Sequence, residues 1–351
     1  MTQPAPLPRF LAAGLLVTGL GAAMLVAASL GVHAQNTDDG QPTVNAVQIA
    51  TFMTAAVGEP VQKLIWRGGL ELQSAADNFG GLSGLGFTGP DHRLVMVSDR
   101  GNFVSGQLIY DDQNRPLSLV GVRIEPMQNS KGAELPRQYA RDAEALAVIV
   151  RNGEPSAVRV GFENLTRVAD FQLVDAVPTG PAREVNIPTW LTDTRTNATL
   201  EAVCIAPPAS PIAGSTLLLT EGVIDGDGQH AAYLLGQNDK GPLSYISHDG
   251  TNPTDCAFLP NGDLLVLERG IALFTFQMRL KRVPAADVRP GAHLQGEVLL
   301  QSSGGDIDNM EAVAVHTGPD GQTLITLVSD DNFNDWERNL LLEFSLPEPA
   351  Q

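Results

Sequence analysis

The chain has 351 residues, with 40 Asp and Glu against 22 Lys and Arg and a formal net charge of −18. This acid excess argues against a nucleic-acid-binding protein, because phosphate backbones are held by clustered Lys and Arg, and it disfavours adsorption to anionic membranes. The two cysteines cannot form a disulfide scaffold and have no zinc-type spacing. Hydrophobic residues make up 43% of the chain, with 35 Gly and 24 Pro, which indicates a turn-rich globular protein.

Residues 1–34 have the features of a secretory signal. Arg9 precedes an apolar run from Phe10 to Val32, and Val32, His33 and Ala34 form a small-x-small pattern before a cleavage point after Ala34. The competing interpretation is an uncleaved membrane anchor, because the run is long for a signal. Both interpretations predict a periplasmic or secreted protein, and the mature chain contains no second apolar run of membrane-spanning length.

The rest of the sequence is a repeat. Each copy has an apolar strand, a turn rich in Gly, Pro, Asn or Asp, and a second apolar strand, which is typical of a β-hairpin. The copies are anchored at intervals of 54 to 61 residues at five positions, Ser83, Glu144, Glu201, Asp255 and Glu311. Hairpin units with such a period indicate a β-propeller.

We therefore predict an all-β fold with a single β-propeller over residues 62–351, preceded by an irregular segment at 35–61. The length favours six blades, with five or seven as alternatives. The C-terminal strand 340–344 and the N-terminal strand 64–66 are expected to complete one blade jointly and close the ring.

Each hairpin carries acidic residues at one end. The first residue of strand one and the last of strand two lie side by side, which pairs Glu311 with Asp330, Glu201 with Glu221, Asp255 with Glu268, Glu144 with Glu163, and Ser83 with Asp99. In a radial arrangement of blades, all these pairs point to the same mouth of the central channel. The alternative is a purely structural role, in which Asp, Asn and Ser at hairpin ends form hydrogen bonds with backbone groups of the turns.

Carboxylates at this density repel one another unless a cation lies among them. Oxygen ligands without a Cys or His cluster suit Ca²⁺, with Mg²⁺ and Mn²⁺ as alternatives. The candidate metal ligands are Asp99, Glu144, Glu201, Glu221, Asp255, Glu268, Asn309, Glu311 and Asp330.

Two arginines interrupt the acidic positions. Arg100 and Arg269 each follow a repeat acid, and they are candidates for binding a phosphate or carboxylate ester. The alternative is an ion pair with the neighbouring Asp99 or Glu268. The two cysteines, Cys204 and Cys256, fall in successive units and could form a disulfide across a blade interface in an oxidising compartment.

Several motifs together resemble a known family. They are Gly-Gly-Leu-Ser-Gly-Leu at 80–85, Ser-Asp-Arg-Gly at 98–101, Glu-Ala-Leu-Ala at 144–147, Leu-Glu-Arg at 267–269, and Asn-Met-Glu-Ala-Val-Ala at 309–314 followed by Ser-Asp-Asp-Asn-Phe at 329–333. This combination resembles the phytase-like family, also called "esterase-like activity of phytase", over residues 62–346. The resemblance implies an exported β-propeller and a hydrolase of ester or phosphoester substrates.

The main functional hypothesis is a hydrolase of small ester or phosphate-ester molecules, assisted by a divalent metal ion. Glu201, Glu311 and Asp330 are its candidate catalytic residues, and Arg100 and Arg269 its candidate substrate-binding residues. One alternative is a non-catalytic propeller that binds a ligand or partner at the same mouth. Another is a lactonase-type hydrolase whose metal set would be Glu311, Asn252 and Asp255.

Overall fold

In the computed structural model, the described residues are 41–136, 139–194, 196, 198–248 and 250–347. The predicted signal at 1–34 lies outside them. The described residues all belong to one compact unit. Among the described residues, no helix combines the length and apolar character needed to cross a membrane.

Five strands precede the repeat, and four of them are short. They are β1 (Val44–Ile49), β2 (Thr51–Phe52), β3 (Ala55–Ala56), β4 (Pro60–Val61) and β5 (Leu64–Ser74). Strands β2 and β3 pair as a hairpin, whereas β1 and β4 both pair with β5. The segment before residue 62, expected to be irregular, therefore contributes strands to the sheet that β5 joins.

The repeat forms radial antiparallel sheets, numbered here as blades I to V. Blade I contains β6 (Leu82–Phe87), β7 (Arg93–Ser98), β8 (Asn102–Tyr110) and β9 (Pro116–Pro126). Blade II contains β10 (Ala143–Arg151), β11 (Glu154–Phe162), β12 (Arg167–Val174) and β13 (Val177–Val185). A short helix, α1 (Thr189–Asp193), leads to blade III, with β14 (Leu200–Ile205), β15 (Thr216–Ile224), β16 (His230–Leu235) and β17 (Gly241–Tyr245).

The last two blades follow in the chain. Blade IV contains β18 (Asn252–Phe258), β19 (Leu264–Ala272), β20 (Thr275–Val283) and β22 (Glu297–Ser303). Between β20 and β22 come a 3₁₀ turn (Ala285–Asp287) and β21 (His293–Leu294), which pairs in parallel with β17. Blade V contains β23 (Asn309–Thr317), β24 (Thr323–Asp330) and β25 (Asn339–Ser345), followed by β5 and β1 from the N-terminal side.

The first strand of each blade is the innermost, and each contacts the first strands of both neighbouring blades, which closes a ring of five. The prediction of an all-β propeller is confirmed, with five blades, one of the alternative numbers, in place of the favoured six. The N-terminal strands account for the difference, because they extend blade V and do not build a blade of their own.

The predicted joint blade of the two chain ends is confirmed. Strand β25 pairs with β5, so that Phe344 lies opposite Trp66 and Ser345 opposite Ile65. Phe52 packs against both aromatic rings, with centroids 5.3 Å from Trp66 and 5.1 Å from Phe344. This aromatic group covers the seam where the two ends of the chain meet.

The hydrophobic core is divided among the blade interfaces. Five apolar clusters occur, each built from the facing sides of two neighbouring blades. In blade I, for example, Val95 and Val97 pack against Val158 and Val160 of blade II. Each sheet is therefore buried on both faces, which explains why its inner strands are continuous runs of Leu, Val and Ala.

Cys204 and Cys256 form a disulfide that joins β14 to β18, with their Cα atoms 5.9 Å apart. The bond ties the inner strands of blades III and IV and closes a loop of 52 residues.

We expect the Cys204→Ala/Cys256→Ala variant to lose about 3–4 kcal/mol of unfolding free energy, because a crosslink across a loop of this length restricts the unfolded chain. Denaturant titration of the variant and of the oxidised and reduced parent would measure the loss. Free thiols detected in the oxidised parent, or equal midpoints for all three samples, would contradict it.

Candidate functional site

The inner strand of every blade contains a β-bulge at the same point. The pairing with the second strand shifts by one residue between Leu82 and Gly84 in blade I, and equivalent shifts occur in the other four blades. The bulged residues are Ser83, Glu144, Glu201, Thr254 and Glu311. A bulge turns one side chain out of the sheet's regular alternation, and here it does so at the channel mouth.

The second strand supplies a matching position. On the second strand of each blade, one residue pairs with the inner-strand residue that precedes the bulge. The residue that follows it on the second strand lies at the mouth. These residues are Asp99, Glu163, Glu221, Arg269 and Asp330. The two sets form the mouth ring, which contains seven carboxylates and one arginine.

Blade IV departs from the predicted alignment by one residue on both strands. Its mouth positions are Thr254 and Arg269, whereas the sequence pattern selects Asp255 and Glu268. The position of Asp255 is occupied by Gly84, Ala145, Ala202 and Ala312 in the other blades.

Asp255 and Glu268 are instead fully buried away from the mouth. The Asp255 carboxylate accepts a hydrogen bond from the Val313 backbone N–H at 2.9 Å, which links blade IV to blade V. Glu268 accepts hydrogen bonds from Tyr245 at 2.7 Å and Thr251 at 2.8 Å, and it pairs with Lys281 at 2.7 Å. The structure thus places neither acid in the mouth ring, although the charge of Glu311 adds to burial in raising the pKa of Asp255.

The acids of the mouth ring are close enough to shift one another's pKa values. Burial raises the pKa of Glu144 well above its usual range, and the carboxylates of Asp142 and Glu163 raise it further. The pKa of Glu201 is raised likewise, by burial and by Glu163, with which it shares a hydrogen bond. Two neighbouring acids held in this way bind a proton more tightly than free carboxylates do.

Three further mouth acids, Glu311 and Asp330 of blade V and Asp99 of the adjacent blade I, have pKa values raised toward neutrality. Burial raises the pKa of Glu311 to about 7, although Arg269 opposes the shift. Burial and the charge of Glu311 raise the pKa of Asp330 to about 8. Burial raises the pKa of Asp99 to about 6.

Arg269 is the cation of the mouth ring. Its Nη1 donates a hydrogen bond to Asn309 Oδ1 at 2.8 Å, its Nε lies 3.3 Å from Glu311 Oε1, and its Nη2 lies 3.7 Å from Glu221 Oε1. These acids raise the pKa of Arg269 although burial alone would lower it. Asn252 also donates to Glu221, at 3.2 Å.

Arg100 has a different environment. Its guanidinium lies over the Phe333 ring, 3.2 Å from the centroid, and its Nη1 donates to the Asp77 carbonyl at 2.9 Å. The side chain is on the exposed rim of the mouth, next to Asp99, and not within the ring of acids. Of the two predicted anion-binding arginines, Arg269 is therefore the one surrounded by the candidate catalytic acids.

Asp142, Glu144 and Glu163 each offer a carboxylate oxygen within 4.8 Å of the others. This spacing allows three oxygens to bind a single divalent ion, and the charge repulsion that raises the pKa of Glu144 would be relieved by it. Asp142 was missed as a site residue by the sequence reasoning. The available signal was its position two residues before Glu144, immediately before the strand begins.

Comparison with known proteins places this fold in a family. A family model described as Phytase-like, esterase-like activity of phytase, matches residues 77–333. The chain belongs to this family. The predicted resemblance is thereby confirmed, and the family description supports a propeller enzyme of the hydrolase kind.

No curated protein matches the chain significantly. Among solved structures, a glucose dehydrogenase is 13% identical with a TM-score of 0.41, covering 75% of this chain and 96% of its own. A PQQ-bound aldose sugar dehydrogenase from Streptomyces coelicolor is 12% identical with a TM-score of 0.40, covering 87% and 100%. A luciferin-regenerating enzyme is 13% identical with a TM-score of 0.36, covering 76% and 92%.

The raised pKa values of Glu311 and Asp330 predict a pH-dependent stability in EDTA. Both folded-state values lie above the usual 4.5 and 3.8, so between about pH 4 and pH 8 the folded protein holds protons that the unfolded chain has released. The unfolding free energy should therefore fall as pH rises through this window, by at most about 1.4 kcal/mol per pH unit for each proton.

Glu311→Gln and Asp330→Asn remove the titrating groups and should each flatten this dependence. Denaturant titrations from pH 4 to pH 9 would measure the slopes, with the exposed Glu154→Gln as the matched control. Parallel slopes for the parent and both mouth variants would show that the two acids are not buried as described.

Proposed function

We propose that the protein is a divalent-cation-dependent hydrolase of small phosphate or carboxylic esters, with its active site in the mouth ring. The observation that carries this proposal is the recessed group of seven carboxylates, two of them with pKa values of about 7 and about 8, around the partly buried Arg269. General bases work best with a pKa near the operating pH. The family description, which names an esterase-like activity, supports the same reaction class.

The donor set fits a hard divalent ion such as Ca²⁺, because all its candidate ligands are carboxylate oxygens. Asp142, Glu144 and Glu163 would hold the ion, and Glu201 would contribute through its hydrogen bond to Glu163. When bound, the ion would polarise the ester and lower the pKa of a water molecule.

The roles of the protein's own residues follow from their positions. Glu311 or Asp330 would accept the proton of the attacking water, since each is ionised over part of the neutral range. Arg269 would bind the anionic part of the substrate through its guanidinium, with Glu311 and Asn309 holding the side chain in place. Arg100, stacked on Phe333 at the rim, would contact only a substrate that extends out of the mouth.

The lactonase-type set receives no support from the geometry. Glu311 lies in the mouth ring, but Asp255 is buried against Val313 and Asn252 donates to Glu221. A non-catalytic binding role is distinguished from hydrolysis by the experiment below.

Cation dependence is tested with p-nitrophenyl phosphate, p-nitrophenyl acetate and a lactone, in EDTA and after Ca²⁺, Mg²⁺ or Mn²⁺ is added back. We expect hydrolysis of at least one ester to be lost in EDTA and restored by a cation. Glu163→Gln should weaken cation binding, measured by calorimetry, by about 10-fold or more because one ligand charge is removed, whereas Glu154→Gln at the other end of the propeller should not.

Cation binding without turnover of any of these substrates would leave the binding role. Turnover that persists in EDTA would contradict the role of the cation.

The role of Arg269 is tested by Arg269→Gln and Arg269→Lys. We expect Arg269→Gln to lower kcat/KM for an anionic phosphoester by about 100-fold, because a desolvated charge-assisted contact is lost. Arg269→Lys should recover part of that loss. Arg100→Gln should have a smaller effect than Arg269→Gln, and the reverse order would assign substrate binding to the rim.

A further inference from the structure

The end of the propeller that carries the mouth ring also carries the most exposed apolar side chains of the described residues. Phe274 is 103% exposed, Leu273 93%, Trp336 91%, Tyr139 65% and Ile271 64%. Each belongs to a connection that leaves or enters a blade at the mouth. Large hydrophobic side chains elsewhere on the described surface are at most 57% exposed.

The most prominent of these connections is the hairpin between β19 and β20. Ala272 pairs with Thr275, which leaves Leu273 and Phe274 as a two-residue loop. Both loop residues have positive φ, 50° and 64°, as a type I′ turn requires. Such turns favour Asn and Gly, and the two-residue loop between β10 and β11, at the opposite end of blade II, is Asn152-Gly153, with positive φ at both residues. Two bulky residues are therefore held in a disfavoured conformation where they make no core contact.

This hairpin projects beyond its own sheet. The pairing of β22 with β20 ends at Gln277, and the Phe276 carbonyl accepts one further hydrogen bond from the Gly304 N–H at 3.2 Å. Among the described residues, the backbone of 271–275 pairs only within the hairpin. The segment 270–278 contains no charged residue and is bracketed by Arg269 and Arg279. An uncharged apolar tip with cations at its base suits shallow insertion into a membrane interface.

The exposed surface is the wrong size and shape for a stable protein partner. The three side chains of the hairpin tip, Ile271, Leu273 and Phe274, expose roughly 500 Å² of surface. A standard protein interface buries about 800 Å² on each partner. Trp336 and Tyr139 lie on connections of other blades and extend the apolar surface only as separate protrusions. A fluid lipid surface accommodates separate protrusions, and Trp and Tyr favour its interface.

We propose that this end of the propeller docks on a lipid bilayer by inserting Ile271, Leu273, Phe274 and Trp336. Because the chain carries a net charge of −18 and the adjacent mouth is acidic, the surface it fits is a zwitterionic one, and anionic lipids should weaken the binding. Docking turns the mouth ring toward the lipid headgroups. The proposal does not depend on the mouth being catalytic.

The test uses the full chain with Trp190→Phe, which leaves the buried Trp66 and the exposed Trp336 as its tryptophans. This readout reports the environment of the mouth end, because attachment through residues 1–40 alone would leave Trp336 in water. With phosphatidylcholine vesicles, we expect the emission of Trp336 to shift to the blue and to be quenched by brominated lipid. Addition of phosphatidylglycerol should reduce the effect.

Leu273→Asn/Phe274→Gly installs the preferred residues of a type I′ turn, so the hairpin should remain folded while the apolar tip is lost. The lipid concentration for half-maximal shift should rise by about 10-fold or more. The matched control, Val150→Asn/Val174→Asn, removes exposed apolar side chains at the opposite end and should bind as the parent does.

Three results would overturn the proposal. The first is an unchanged emission wavelength of Trp336 when vesicles are added to the parent, and the second is equal lipid binding by the parent and the tip variant. The third is concentration-dependent dimerisation of the parent in sedimentation without lipid that is absent in the tip variant, because a second copy of the chain would then be the occupant.

Discussion

The β-bulge in each inner strand is the constraint on which the mouth depends. In a regular strand, successive side chains alternate between the two faces of the sheet, and in this propeller both faces are buried against neighbouring blades. One extra residue per inner strand releases a single side chain from that alternation toward the channel. Because the bulge recurs in all five blades, five otherwise separate sheets each contribute to one site, and the residue type at the bulge decides its charge.

The distribution of charge follows from which acids are freed and which are paired. Asp255 and Glu268 have polar partners within the blade interfaces: Tyr245 and Lys281 pair with Glu268, and the Val313 N–H binds one oxygen of Asp255, whose other oxygen is buried without a hydrogen-bond partner among the described residues. The mouth acids face mainly one another, with Arg269 as the counter-charge on one side. Isolated carboxylates in so recessed a position would cost several kcal/mol each. Protonation and a bound cation are two ways to lower that cost, and each corresponds to a state that the proposed hydrolase would use.

Much of this architecture could be read from the sequence. The spacing of the repeats, the turn residues and the complementary ends of the chain specify a closed propeller, because these features reflect local strand and turn preferences. The blade number was less accessible, since a count from length cannot tell that residues 44–74 widen an existing blade. The frame of blade IV was hidden for a different reason. An acid stands directly beside the true mouth residue on both strands, in Thr254-Asp255 and in Glu268-Arg269. Only the position of the β-bulge decides which of the two residues reaches the mouth, and the amino-acid sequence does not show where the bulge lies. Asp142 was overlooked because it precedes the bulge and not because its chemistry was unusual.

The pairing of β25 with β5 has a consequence for the order of events during synthesis. Residues 64–74 emerge early, yet their partner, residues 339–345, is the last strand to be made. Blades I to IV can form as the chain lengthens, whereas the circle is completed only when its two ends meet. Glu311 and Asp330 arrive with that final segment, so the full electrostatic repulsion among the acids is imposed after the other blades have been assembled. The nascent chain therefore does not bring all the mouth carboxylates together until blades I to IV are available to hold them.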